Sequence, residues 1–333
     1  MIVTFTANPS LDRTVYVDRL VRGGIVRAHG NAVHPSGKGV NVSRILAANG
    51  AKTLAILPQG GPEGSQLVEL LTGEGIEFVA VPIHDPVRVN LTVVERDGTV
   101  TKLNEPGPVL TDPELGSLLD AVAGASRSAS WLVASGSLPA GAPDDLYVRL
   151  IAAAKAIGTA VALDTSGRAL GASLVAGPDL VKPNLEELAE AAGRPLATLG
   201  EAAEAAASLA NRGAGTVLAS LGPHGALLVE SGSVVHGEGP PLVPRSPVGA
   251  GDALLAGFLA AGGTGRRALI EGLTWAAATC RQPDSHMPGP ADMDGHQIRL
   301  HGHIEESRPI TTHPTRSSWP DRASSGPSRR TTT

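Results

Sequence analysis

The chain has 333 residues, 42% hydrophobic and 18% charged, a globular balance that excludes disordered and fibrous classes. A formal charge of −5, with no dominant basic block among 27 basic and 32 acidic residues, argues against a nucleic-acid partner, and no apolar run reaches membrane-spanning length. The single cysteine, Cys280, excludes a disulfide framework, and the N-terminus lacks signal-peptide character, so a soluble cytoplasmic protein is expected.

In chain order, residues 2–6 read as a strand, and NPSLD (8–12) places Asp12 just beyond it. Residues 13–34, with Arg27, read as two strands around a glycine turn. PSGKGVNVSR (35–44) is a glycine turn carrying Gly37, Lys38, Gly39 and Asn41 into a helix over 39–50. A strand (53–58), a helix (63–73) and a strand (78–82) follow. Residues 87–105 form a second hairpin about Asp97-Gly98, with Arg88 and Asn90 in its first arm and Lys102 in its second. Then come a helix (112–124), a strand (131–135) ahead of Ser137, a helix (144–157) and strands at 159–163 and 179–182. Lys182 ends the last of these, and Asn184 and Glu187 open the helix at 185–192. A helix (199–212) and a strand (216–220) lead to a strand-to-strand turn with Ser220, Gly222 and Gly225. SPVGAGDALLAG (246–257) enters a final helix over 252–262.

Strands alternating with helices predict an α/β fold, a parallel sheet with helices on both faces. The two hairpins break that rhythm and predict a small β-sheet standing off the main sheet as a lid. From Arg308 the chain is rich in Ser, Thr, Arg and Pro without periodicity, so the domain is expected over 1–306 and a disordered tail over 307–333. His296, His301 and His303 lack the accompanying Cys or carboxylate spacing of a metal site.

Gly249-Ala250-Gly251 ahead of Asp252 carries the clearest chemistry. The first N–H groups of a helix lack internal partners and sit at the positive end of its dipole, and glycine lets an anion approach them. Neither a Walker loop nor a Rossmann fingerprint fits: Ala32 stands where the Walker loop has its first glycine, Gly39 follows Lys38, and Leu254 stands where the third Rossmann glycine belongs.

PSGKGVNVSR and SPVGAGDALLAG resemble the N- and C-terminal signatures of the ribokinase-like (PfkB) family of carbohydrate kinases. NPSLDRT, SGSLP (135–139), DTSGRAL (164–170) and MPGP (287–290) resemble its hexose-phosphate branch, the 1-phosphofructokinase group above all. The resemblance implies a ribokinase-like sheet with a β-lid, often shared between two subunits, and a need for ATP and Mg²⁺. It implies that Asp252 is the base for the sugar hydroxyl and that Gly249, Ala250 and Gly251 hold charge on the moving phosphoryl group. Asp12, Asn41, Asn90 and Ser137 would bind the sugar, beside Gly37 and Gly39, and Lys38, Arg88, Arg27 and Lys102 would clamp its phosphate. Lys182, Asn184, Ser220, Gly222 and Gly225 would bind the nucleotide, and Glu187 would organise Mg²⁺ through water. The implied reaction is phosphorylation of fructose 1-phosphate at the 6-hydroxyl. A 6-phosphofructokinase, a tagatose-6-phosphate kinase and a non-catalytic sugar-phosphate-binding protein are the rivals. Three departures from the family pattern stand out: Ser36 for a second glycine, Pro247 for Thr or Asn, and a polar segment at 277–290 with Cys280, Gln282 and Asp284.

Overall fold

The computed structural model describes residues 1–242, 244–283, 286–293 and 297–310; Asp284, His296 and residues 311–333 lie outside it. The first half contains β1 (Ile2–Thr6), β2 (Ser10–Val17), β3 (Ala28–Ser36), α1 (Lys38–Ala48), β4 (Thr53–Gln59), α2 (Gly61–Gly73), β5 (Phe78–Pro82), β6 (Arg88–Glu95), β7 (Val100–Asn104) and α3 (Asp112–Ser126). Then follow β8 (Trp131–Ser135), α4 (Leu146–Ala156), β9 (Ala160–Asp164), α5 (Gly167–Leu174), β10 (Leu180–Val181), α6 (Leu185–Ala192) and α7 (Leu199–Asn211). The last part holds β11 (Thr216–Ser220), β12 (Ala226–Glu230), β13 (Ser233–Glu238), α8 (Ala250–Ala260), α9 (Gly265–Arg281) and β14 (Arg299–His301).

The main sheet has the order β14-β13-β12-β11-β10-β9-β8-β1-β4-β5. From β5 to β11 every neighbouring pair is parallel, and β12, β13 and β14 are added antiparallel. Strand β1 lies between β4 and β8, where successive connections leave in opposite directions. In open α/β sheets that switch point opens a crevice at the carboxyl ends of the strands. One face packs Val3, Phe5 and Ile56 against Leu118, Leu150, Leu170, Leu188 and Leu209 of α3–α7. The other packs Val133 and Leu218 against Ile45, Leu255, Phe258 and Leu269 of α1, α8 and α9. With few aromatic side chains available, close backbone approach supplies some of the density. A Cβ on Gly272 would stand 2.6 Å from Leu254 O, so α8 and α9 pack at glycine distance.

The two hairpins join into one four-stranded sheet, β3-β2-β6-β7, because β2 and β6 pair in parallel. Side chains alternate across a strand and paired residues share a face. Ser10, Asp12, Arg88, Asn90 and Lys102 therefore fall on one face of this lid, since Ser10 pairs with Arg88, Asp12 with Asn90 and Thr92 with Lys102. Leu11 and Val89, on the other face, pack towards Val40, Leu57 and Leu67 and root the lid in the body.

Helix α9, the short α5 and the edge strands β13 and β14 lie outside the elements read from the sequence. The expected boundary at 306 also falls short. Leu199 N donates to Arg308 O at 2.9 Å, Ile310 N donates to Ala197 O at 2.9 Å, and Ile310 is buried in the core. Arg308 pairs with Glu238 Oε2 at 2.8 Å, and Glu238 Oε1 lies 3.0 Å from His301 Nε2. His301 pairs across the sheet with His236, which lies 2.8 Å from the His224 carbonyl. The ligand atoms of His236, Glu238 and His301 fall within 4.8 Å of one another, a grouping that their scatter along the chain conceals.

Candidate active site

A row of polar side chains crosses the carboxyl ends of the central strands. Thr6 of β1 is in register with Ser135 of β8, and Ser135 with Asp164 of β9; Lys182 follows β10, and all four are buried. The PSGKG turn lies directly on this row. A Cβ on Gly39 would stand 2.5 Å from Thr6 Oγ1 and 2.9 Å from Ser135 Oγ, and Gly37 has φ +120° with a Cβ position 2.7 Å from Thr6 Cγ2. Only glycine fits at either place. The two glycines fix the backbone of the α1 N-terminus and send Lys38 across the strand ends.

Lys38 Nζ donates to Asp164 Oδ1 at 2.7 Å and to Glu187 Oε1 at 3.0 Å. Lys182 Nζ lies 3.0 Å from Asp164 Oδ2. Burial alone would raise the Asp164 carboxyl, but Lys182 and then Lys38 hold it below its usual range. Burial alone would lower Lys38, yet Asp164 and Glu187 hold it above the usual ammonium value. A buried carboxylate between two cations, facing a second carboxylate, is a cluster of mutually perturbed charges that marks a candidate functional site.

Asp252 lies in the first turn of α8 and is buried. Asn41 Nδ2 donates to its Oδ2 at 2.8 Å. Burial, followed by the charge of Asp164, pushes its carboxyl up from 3.8 to about 7, with Lys182, the Asn41 hydrogen bond and Lys38 pulling the other way. A carboxylate poised there is matched to accepting a proton near neutrality. The preceding turn is left-handed at Gly249, φ +79°, which caps α8. Ala250 N points at Pro247 O at 3.3 Å, so that amide is partly engaged by the turn itself. Pro247 removes one donor, and Ser246 Oγ braces the loop by accepting from Val248 N at 3.3 Å. A Cβ on Gly251 would lie 3.4 Å from Lys182 Nζ, which sets the GAGD turn over that lysine.

On the lid side, Asn90 Nδ2 donates to Asp12 Oδ1 and to Ser10 Oγ, both at 3.0 Å, and Ser10 Oγ donates to Asp12 Oδ1 at 2.9 Å. Arg88 donates through its two terminal nitrogens to Glu105 O and Asn8 O, each at 3.1 Å, while its buried Nε has no protein partner. Asn8 Nδ2 donates to Pro106 O at 2.9 Å and reaches Ser137 Oγ at 3.4 Å, so the first strand, the lid hinge and the SGSLP turn meet at one side chain. Gly136, φ +100°, presents its carbonyl to the hydroxyls of buried Tyr147 and Thr165, both at 2.9 Å. Arg27 and Lys102 are exposed; Lys102 shares the polar lid face, and Arg27 lies in the loop ahead of β3.

On the opposite side, Asn184 caps α6. Its Oδ1 accepts from Glu187 N at 2.8 Å and Glu187 Oε2 accepts from Asn184 N at 2.9 Å, a capping box that leaves Glu187 Oε1 for Lys38. Asn184 bridges to Ser220, the last residue of β11, and a single 3₁₀ turn follows at Gly222–His224. Gly222 has φ +58°, and at Gly225, φ +82°, a Cβ would stand 2.0 Å from Gly237 O, so the turn lies against β13.

Two of the expected sugar-side residues already have protein partners: the Lys38 ammonium bonds Asp164 and Glu187, and the Asn41 amide nitrogen bonds Asp252. Asp164, Asn8, Tyr147 and Thr165 adjoin the candidate site, and the sequence motifs assign them no role. DTSGRAL holds two of them and supplies a signal, a carboxylate at a strand end followed by hydroxyls and glycine.

Residues 6–290 match the pfkB family carbohydrate kinase model. The chain belongs to this family. A Mycobacterium tuberculosis ATP-dependent 6-phosphofructokinase isozyme 2 is 39% identical over 77% of this chain and 76% of its own length. A Xanthomonas campestris 1-phosphofructokinase is 38% identical over 78% of this chain and 83% of its own. The crystal structure of Escherichia coli phosphofructokinase-2 with fructose 6-phosphate superposes with a TM-score of 0.80 at 33% identity, over 88% of this chain and 96% of that one. This PfkB kinase is therefore a sugar kinase of the phosphofructokinase type with a ribokinase-like fold.

Proposed function

We propose that this PfkB kinase transfers the γ-phosphoryl group of ATP to the 6-hydroxyl of fructose 1-phosphate. The observation that carries the proposal is Asp252, a buried carboxylate raised to about 7 and held by Asn41 beside the Lys38–Asp164–Lys182 cluster. Phosphoryl transfer needs an aligned hydroxyl, charge stabilisation and exclusion of water more than covalent help. Asp252 accepts the hydroxyl proton, while Gly249, Ala250 and Gly251 at the α8 N-terminus and Lys182 stabilise charge on the transferred group. Asp12, Asn90 and Ser137 orient the sugar. Arg88, whose buried Nε has no protein partner, takes the sugar's own phosphate, with Arg27 and Lys102 at the rim. Asn184, Ser220, Gly222 and Gly225 cradle the nucleotide.

Two carboxylates from separate elements, each within 3.0 Å of one ammonium, are an oxygen donor set that suits Mg²⁺. Glu187, through water, and Asp164 would hold Mg²⁺, which when bound neutralises charge on the nucleotide phosphates. Leu20, Val21 and Ile25 in the β2–β3 loop and Leu103 in β7 are exposed apolar groups, and they support a homodimer built through the lid.

The branch motifs NPSLD, SGSLP and DTSGRAL favour the 1-phosphate, whereas the M. tuberculosis relative named as a 6-phosphofructokinase favours the 6-phosphate. ADP release with fructose 1-phosphate, fructose 6-phosphate and tagatose 6-phosphate separates them. A kcat/KM preference of about 100-fold for fructose 1-phosphate, worth roughly 2.7 kcal/mol, supports the assignment. An equal preference for a 6-phosphate overturns it.

A further inference from the structure

We propose that Lys38 is an internal counter-ion for the divalent-cation position, holding Asp164 and Glu187 together without metal and turning onto the nucleotide phosphates when metal and nucleotide enter. The inference rests on the reading of Asp164 and Glu187 given above. Asp164 comes from the end of β9 and Glu187 from the first turn of α6, and both bond the same ammonium, at 2.7 and 3.0 Å. Without a cation between them these largely buried carboxylates, 0% and 12% exposed, would repel each other. Lys38 supplies that cation from this chain.

Three features make Lys38 the group that moves. Its backbone is pinned, since the flanking Gly37 and Gly39 lie against Thr6 and Ser135 with no room for a Cβ. Its side chain is one-third exposed, whereas that of Lys182, on the other Asp164 oxygen, is 4% exposed. A flexible four-carbon stem with a compact charge can exchange partners while its main chain stays in place. Glu187 is tied through Oε2 to the Asn184 amide, so its Oε1 stays aimed at the same point when Lys38 leaves. A divalent cation on Asp164, with its water on Glu187 Oε1, competes with the ammonium for the same two oxygens and repels it, so metal binding displaces Lys38. Displacement is favourable once nucleotide phosphates offer the ammonium a new partner. Asp252 is near enough for its charge to act on Lys38, so the released ammonium stays beside the reacting hydroxyl.

Mn²⁺ binding to the full chain without nucleotide, followed by the loss of the free-ion electron paramagnetic resonance signal, tests this. Lys38→Met is expected to bind Mn²⁺ more tightly than the unmodified chain by on the order of 10-fold or more, the scale on which surrounding groups tune metal affinity. Lys38→Arg is expected to show no gain, and Glu187→Gln in the Lys38→Met background is expected to abolish it. In ADP release, Lys38→Met is expected to lower kcat much more than it changes KM for the sugar phosphate. Lys38→Gln, which keeps a donor to Asp164, replaces Lys38→Met if the latter fails to unfold cooperatively, and it is read in the same way. Equal Mn²⁺ affinity in the unmodified chain and the folded Lys38 variant overturns the counter-ion role, as does an equal gain in Lys38→Arg. Absence of ADP release from the unmodified chain with every sugar phosphate overturns the kinase reading itself, a result distinct from an active enzyme with unchanged Mn²⁺ binding.

Discussion

Replacing Asp252 by Asn is expected to make the protein more stable as it makes the enzyme fail. The Asp252 carboxyl is raised from 3.8 to about 7 by burial and by Asp164, so its ionised form is disfavoured in the folded chain. The folded state keeps a proton between those two pH values that the unfolded chain has given up. The stability this confers is full at low pH and is lost as pH rises through that window. At 1.36 kcal/mol per pKa unit, the ionised group costs at most about 4 kcal/mol above pH 7. Asn keeps the shape and removes the charge. Urea unfolding from about pH 5 to about pH 8.5 is expected to show Asp252→Asn gaining on the unmodified chain as pH rises. In ADP release its kcat falls by about 10²- to 10⁴-fold, the usual worth of a positioned base, while nucleotide binding persists. A stability difference that does not change with pH would refute the assigned environment of Asp252, and near-normal turnover would refute its role as base.

Arg88→Ala is expected to raise KM for the sugar phosphate by roughly 10- to 100-fold, the worth of a charged hydrogen bond, and to leave KM for ATP little changed; equal rises in both would remove Arg88 from the phosphate site. Asn41→Leu deletes the donor 2.8 Å from Asp252 Oδ2, so the acid limb of the kcat/KM profile, expected near pH 7, should move to higher pH. An unmoved limb would show that Asn41 does not tune the base. Gly39→Ala forces a Cβ to within 2.5 Å of Thr6 Oγ1 and 3.1 Å of Phe5 O. Denaturant unfolding is expected to show a loss of about 1–3 kcal/mol, typical of overpacking; an unchanged midpoint would mean that the α1 N-terminus yields.

The body of the fold was legible because its strands are short β-branched runs and its helices carry an apolar stripe. Residues 2–6, 78–82, 131–135, 185–192 and 216–220 match their elements residue for residue. Helix α9 carried a readable stripe at Ala268, Leu269, Gly272 and Leu273, but its arginines and the polar run after it obscured the pattern. The lid's two hairpins were legible from their glycine turns, whereas their union was not, because parallel pairing of β2 with β6 leaves no local mark. In the candidate site, Asp252, Lys182 and Glu187 stand out in the sequence by motif, and Asp164 does not. A carboxylate at a strand end acquires meaning only from its cations, and Lys38 reaches it across 126 positions of chain. Asn41 and Lys38 stand in a readable motif, but their hydrogen-bond partners leave no mark there, because bonding to another side chain is decided by tertiary packing.

The parallel union of β2 and β6 also has a kinetic side. Ser10 reaches Arg88 only after β4, α2 and β5 have brought the second hairpin back beside the first. Pairings between distant segments bear the loop-closure entropy before any contact repays it, so they form slowly. Asp12 and Asn90, which face each other across that pairing, come together no earlier than the lid itself. During refolding, recovery of sugar-phosphate binding should therefore lag behind recovery of helical signal from the body.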